Sequence, residues 1–132
     1  MIILDTHAFV WWVAGSKEIP AKALGIIRKA QAVNGIYVSS ISIWELSMLM
    51  KTGRLLLSIP LQKWIRAVED LPFVKFVPVD NTIAELSVNL PGEFHKDPAD
   101  RIIVATAQTL NMPVITRDGE MRKYPHVRTI WR

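Results

Sequence analysis

Short apolar runs alternate with longer stretches of helical spacing from one end of the chain to the other. The short runs are rich in β-branched residues and predict strands near Met1–Asp5, Ile36–Ser39, Val74–Val79, Pro113–Thr116 and Val127–Ile130. The longer stretches predict helices near Thr6–Ala14, Ala21–Val33, Ile41–Lys51, Leu61–Asp70, Thr82–Asn89 and Pro98–Leu110. Gly35 and Gly53 follow two of the helices, and Pro113 precedes a late strand, so breakers stand where the pattern changes. Strands that alternate with helices in this way build a parallel sheet covered by helices, an α/β fold. No linker, repeat or low-complexity tract divides the 132 residues, which predicts one domain over 1–132.

In an open parallel sheet, ligands bind outside the carboxyl ends of the strands. Asp5 closes the run Met1-Ile2-Ile3-Leu4, and Asp118 follows Val114-Ile115-Thr116-Arg117. Glu45 lies in a helical stretch where its neighbours at i−4, i+3 and i+4 are Ile41, Met48 and Leu49. Burial there would demand a partner, because an unpaired buried carboxylate is costly. Asp100 opens the helix that continues with Ile103, Val104 and Ala107. Carboxylates gathered at the ends of buried elements call for a cation. Four of them make a hard divalent ion the first expectation.

Each acid also has a plain structural reading. Asp5 suits the N-cap of the first helix, Asp80 that of the helix after Val79, and Asp97 that of the helix whose first position is Pro98. Capping accounts for Asp80 fully and for Asp97 largely. Asp100, one turn in, is the better ligand candidate, and Arg101 is expected to pair with either acid of its block. Asp118-Gly119-Glu120 also reads as a turn, and Thr116 either completes a strand or hydrogen-bonds a metal-bound water.

Composition narrows the chemistry. With no cysteine, thiolate metal sites and disulfides are excluded. His7, His95 and His126 lack the i, i+4 spacing of a zinc helix, so the site is expected to be all-oxygen and to take Mg²⁺ or Mn²⁺. No nucleophile elbow, P-loop or dinucleotide-binding glycine pattern is present. The net charge of +4 slightly favours a polyanionic partner, and Lys96, Arg101, Arg117, Arg122, Lys123, Arg128 and Arg132 fall late in the chain. The apolar N-terminus has no basic leader and is interrupted by Asp5 and His7, and no run is long enough to span a membrane. A soluble cytoplasmic protein is the expectation.

Three blocks carry a resemblance. Ile3-Leu4-Asp5-Thr6-His7, Ser40-Ile41-Ser42-Ile43-Trp44-Glu45-Leu46 and His95-Lys96-Asp97-Pro98-Ala99-Asp100-Arg101-Ile102-Ile103-Val104-Ala105 are followed by Val114-Ile115-Thr116-Arg117-Asp118. Together they resemble the PIN-domain nucleases, and specifically the VapC-type toxins of prokaryotic type II toxin–antitoxin systems, over essentially the whole chain. The resemblance implies a three-layer PIN-like fold with a parallel sheet of about five strands. It implies a metal-binding and catalytic quartet at Asp5, Glu45, Asp100 and Asp118, with Asp97 in support. It further implies a Mg²⁺-dependent endoribonuclease that leaves 5′-phosphate and 3′-hydroxyl ends, an RNA substrate, a cognate antitoxin and a homodimer. Trp11, Trp12, Trp44, Met48, Leu49 and Trp64 offer apolar surface for such a partner beyond what the core needs. Two other classes stay open on the residues alone: a metal-dependent enzyme with another substrate, such as a DNA nuclease or phosphatase, and a non-catalytic RNA- or protein-binding module on a degenerate nuclease scaffold.

Overall fold

A computed structural model describes residues 1–132. The chain runs β1 (Ile2–Leu4), α1 (Thr6–Val13), α2 (Ala21–Ala32), β2 (Ile36–Ser39), α3 (Ile41–Lys51), α4 (Leu61–Glu69), β3 (Val74–Val77), α5 (Asn81–Val88), α6 (Pro98–Leu110), β4 (Val114–Ile115), α7 (Gly119–Lys123) and β5 (Thr129–Ile130). All five strands pair in parallel, in the order β3-β2-β1-β4-β5. The expected five-stranded, helix-flanked parallel sheet is therefore present.

Strand alternation divides the core into two layers. Ile2 and Leu4 face one side, with Phe9 of α1, Ile27 of α2, Leu46 of α3 and Trp64 and Val68 of α4. Ile3 faces the other, with Ile83 of α5, Ile103 and Val104 of α6 and Met121 of α7. The central strand is thus buried on both faces, which is why it reads as an unbroken apolar run rather than an alternating one. Helices on both faces complete three layers.

Local chemistry sets most boundaries. Asp5, Asp80 and Asp97 cap α1, α5 and α6, accepting from the backbone N–H groups of Ala8, Ile83 and Asp100. Asn111, in the left-handed conformation at φ 53°, ends α6, and Gly53 at φ 73° lies just past α3. The strands are shorter than their apolar runs, because β4 and β5 pair over only Val114–Ile115 with Thr129–Ile130. The segment after Asp118 is a short helix rather than a plain turn, with Asp118 as its N-cap bonded to the Met121 N–H.

The order of strands matters most for the site. From β1 the chain moves outward to β2 and β3 on one side, then returns to β4 and β5 on the other. The carboxyl ends of β1 and β4 therefore flank the topological switch point, where such sheets open a crevice. Asp5 follows β1, and Thr116 to Asp118 follow β4.

Candidate metal centre

Asp5 is the only buried acid of the chain, with 6% of its surface exposed. Its Oδ1 accepts from the Ala8 N–H at 2.9 Å and its Oδ2 accepts from the Thr116 hydroxyl. The same hydroxyl oxygen accepts the Asp118 N–H at 3.0 Å, so one buried threonine ties the end of β4 to the end of β1. Burial pushes the Asp5 carboxyl up to about 6, against the lowering effect of these hydrogen bonds and of the His7 charge.

Asp100 sits at the first turn of α6, partly open to solvent, with its backbone N–H held by Asp97 at 3.1 Å. Its carboxyl is pushed up to about 8, first by burial and then by the charges of Asp97, Asp118, Glu45 and Asp5. The four predicted acids thus share one electrostatic field. No lysine or arginine pairs with any of them, since the chain's one Arg–carboxylate bridge joins Arg117 to Glu18 elsewhere. Arg101 does not pair with Asp97 or Asp100 as expected. Its guanidinium donates instead to the carbonyls of Ser87, Val88, Phe94 and His95, which clamps the loop before α6 onto that helix.

Glu45 is half-buried, and the neighbouring positions of α3 open outward at Trp44 and Met48, which are 55% and 45% exposed. Apolar spacing overstated its burial. Asp5 and Asp100 bear the desolvation cost that marks the site. Ser42 of the same helix hydrogen-bonds Thr6 at 2.8 Å across to α1, which fixes α3 beside the end of β1.

The tightest group of potential ligand atoms includes a residue that helical spacing could not reveal. His95, Asp100 and Asp118 each bring one such atom, all within 4.8 Å of one another, while Asp5 and Glu45 lie outside that group. His95 stands in the loop clamped by Arg101, so only tertiary contacts carry its ring to the acids. Its place five residues before Asp100 was the available signal. The donor set is oxygen-rich and concentrates negative charge without a lysine or arginine beside it. The buried Nε2 of His95 has no hydrogen-bond partner beside those oxygens, an orphan that a cation or its water would satisfy. These residues fit a divalent ion.

Away from the acids, Trp44, Ile43, Ile65 and Phe76 line a largely apolar groove of about 460 Å³ between α3 and α4. Lys22, Arg122, Lys123 and Arg132 surround a second cavity of about 430 Å³, which reaches Gly119 next to Asp118. No helix is long and apolar enough to cross a membrane.

Comparison with known proteins agrees with this architecture. The PIN domain pattern matches residues 2–127. The chain is 33% identical to Ribonuclease VapC22 of Mycobacterium tuberculosis, an alignment that covers 98% of both proteins. Among solved structures, the VapBC2 complex of Rickettsia felis bound to a promoter DNA fragment superposes with a TM-score of 0.71 at 16% identity, over 100% of both chains. FitAcB of Neisseria gonorrhoeae superposes with a TM-score of 0.67 at 22% identity, over 98% of this chain and 96% of that one.

Proposed function

The chain belongs to the PIN domain family, and from that premise we propose that it is a metal-dependent endoribonuclease acting as the toxin of a toxin–antitoxin pair. The observation that carries the reading is the raised carboxyl of Asp100, pushed upward by burial and then by the charges of Asp97, Asp118, Glu45 and Asp5 gathered beside the switch point of the sheet. Asp5, Glu45, Asp100 and Asp118 would hold Mg²⁺ or Mn²⁺. Bound there, the ion would lower the pKa of a water and offset charge on the phosphoryl oxygens.

The chain's own groups then have distinct tasks. Thr116 holds the Asp5 carboxylate in one rotamer, and Asp97 fixes the first turn of α6 beneath Asp100. Glu45 takes part in none of the fold's ion pairs and remains available to accept a proton from the attacking water. Attack forms a bond from water oxygen to phosphorus and breaks the bond to the ribose 3′ oxygen, leaving 5′-phosphate and 3′-hydroxyl ends. Lys22, Arg122, Lys123 and Arg132 lie where the flanking phosphates of a strand entering past α7 would pass.

The names of the matched complexes support a protein partner. An antitoxin segment that lays an apolar side chain against Trp44 would fill the groove between α3 and α4. A homodimer belongs to the same reading. The test is cleavage by the purified chain, freed of any partner, of single-stranded RNA and DNA of equal sequence. The reading requires RNA cut in Mg²⁺ or Mn²⁺ and DNA left intact, with Asp5→Asn and Asp100→Asn inactive. Tight RNA binding without turnover, unaffected by those substitutions, would refute it.

A further inference from the structure

We propose that His95 Nε2 is a nitrogen ligand of the metal centre, which makes the site prefer Mn²⁺ to Mg²⁺. The inference rests on the metal-site reading above and adds a donor that an all-oxygen quartet lacks.

Three observations meet at this atom. His95 Nε2 lies 3.0 Å from Asp100 Oδ2 and 3.9 Å from Asp118 Oδ2. Ligand atoms around an octahedral ion with bonds of about 2.1 Å stand about 3.0 Å apart on an edge and about 4.2 Å apart across the centre. The first separation matches an edge and the second lies closer to the distance across the centre, and each of the three residues brings a ligand atom within 4.8 Å of the other two. Second, Nε2 is shielded from solvent and forms no hydrogen bond, although Asp100 is so near. The Asp100 oxygen therefore sits off the line of a ring N–H, so a lone pair on Nε2 is as well matched to this space as a proton. Third, the ring is held rather than trailing in a loop. Arg101 donates to the Phe94 and His95 carbonyls at 3.0 and 3.3 Å, and the Phe94 ring meets the imidazole edge-on at 4.5 Å. The helix that presents Asp100 thus also positions His95, and ligands fixed by one rigid element form a site with little to reorganise.

The chemical consequence is selectivity. Mg²⁺ takes hard oxygen donors, whereas imidazole suits transition ions. One nitrogen among carboxylate oxygens therefore shifts preference toward Mn²⁺. The rival is a simple ion pair, with an imidazolium proton facing Asp100 and no nitrogen on the metal.

Pulsed electron paramagnetic resonance of the full chain loaded with Mn²⁺ separates the two. The proposal requires ¹⁴N coupling to the bound ion that changes to a ¹⁵N pattern when histidine is isotopically labelled, a readout independent of any substitution. His95→Gln must abolish the coupling and His7→Gln must leave it. Titration calorimetry should show His95→Gln lowering Mn²⁺ affinity at least about tenfold, and Mg²⁺ affinity by less. Bound Mn²⁺ without nitrogen coupling would overturn the role of His95 and leave the metal reading standing. Coupling that survives His95→Gln but disappears in His7→Gln would also overturn it. Failure of the wild-type chain to bind Mn²⁺ at all would overturn the metal reading itself.

Discussion

Replacing Asp5 by asparagine removes the one fully buried carboxylate of the chain while keeping its shape. The Asp5 carboxyl titrates at about 6 in the fold against 3.8 for a free aspartate. A folded-state value raised above the unfolded one gives stability that is complete below pH 4 and lost as pH rises through about 6. The shift of about 2 units amounts to roughly 3 kcal/mol at neutral pH and above, at about 1.4 kcal/mol per unit. Asparagine carries no charge to desolvate and still accepts the Ala8 N–H, since it caps helices as well as aspartate does. Its amide nitrogen replaces Oδ2, however, so the Thr116 hydroxyl loses its acceptor, at a cost of about 1 kcal/mol. The net expectation is that Asp5→Asn stabilises the metal-free chain by about 2 kcal/mol at pH 8 and destabilises it by about 1 kcal/mol at pH 4, where only the lost Thr116 hydrogen bond counts. Urea unfolding in EDTA at both values measures the difference. Saturating Mn²⁺ should reverse the order, because only the wild type gains from binding the ion. An Asp5→Asn protein less stable than wild type at pH 8 in EDTA, or a difference independent of pH, would refute the reasoning.

Three further outcomes are expected. Arg101→Met breaks four hydrogen bonds to backbone carbonyls and should cost about 2–4 kcal/mol in urea unfolding; a loss under 1 kcal/mol would mean that the clamp holds nothing. Arg122→Ala combined with Lys123→Ala should weaken binding of single-stranded RNA and flatten its dependence on log salt by about 1.4, from about 0.7 per phosphate contact. An unchanged slope would place the RNA elsewhere. Trp44→Asp should weaken capture by the antitoxin about thirtyfold or more in calorimetry, given that a buried aromatic anchor is worth about 2 kcal/mol, while RNA cleavage persists.

What could be read from residue order alone follows the reach of the forces involved. N-caps are local, so Asp5, Asp80 and Asp97 were legible as helix starts from their own neighbours. Strand ends were not, since β4 and β5 stop where their mutual pairing stops rather than where apolar residues do. The helix Gly119–Lys123 escaped because five residues carry too little periodicity to outweigh an Asp-Gly turn. The degree of burial of Glu45 was not legible for a related reason. Apolar spacing places residues on a helix but cannot say which arc of that helix another element covers, and α3 leaves Trp44 and Met48 open. Arg101 and His95 depended on tertiary structure entirely. The guanidinium turns from its acidic neighbours to four carbonyls, and in doing so carries the loop histidine to the carboxylates.

Metal-dependent cleavage of RNA at the acids around Asp100 is open to direct measurement. The most direct measurement follows a 5′-labelled single-stranded RNA incubated with the purified chain, first in EDTA and then after addition of Mg²⁺ or Mn²⁺, beside Asp100→Asn. Intact RNA is expected in EDTA, discrete fragments ending in 3′-hydroxyl once the ion is present, and no fragments from the variant. Equal cleavage in EDTA, or cleavage by Asp100→Asn at the wild-type rate, would contradict it.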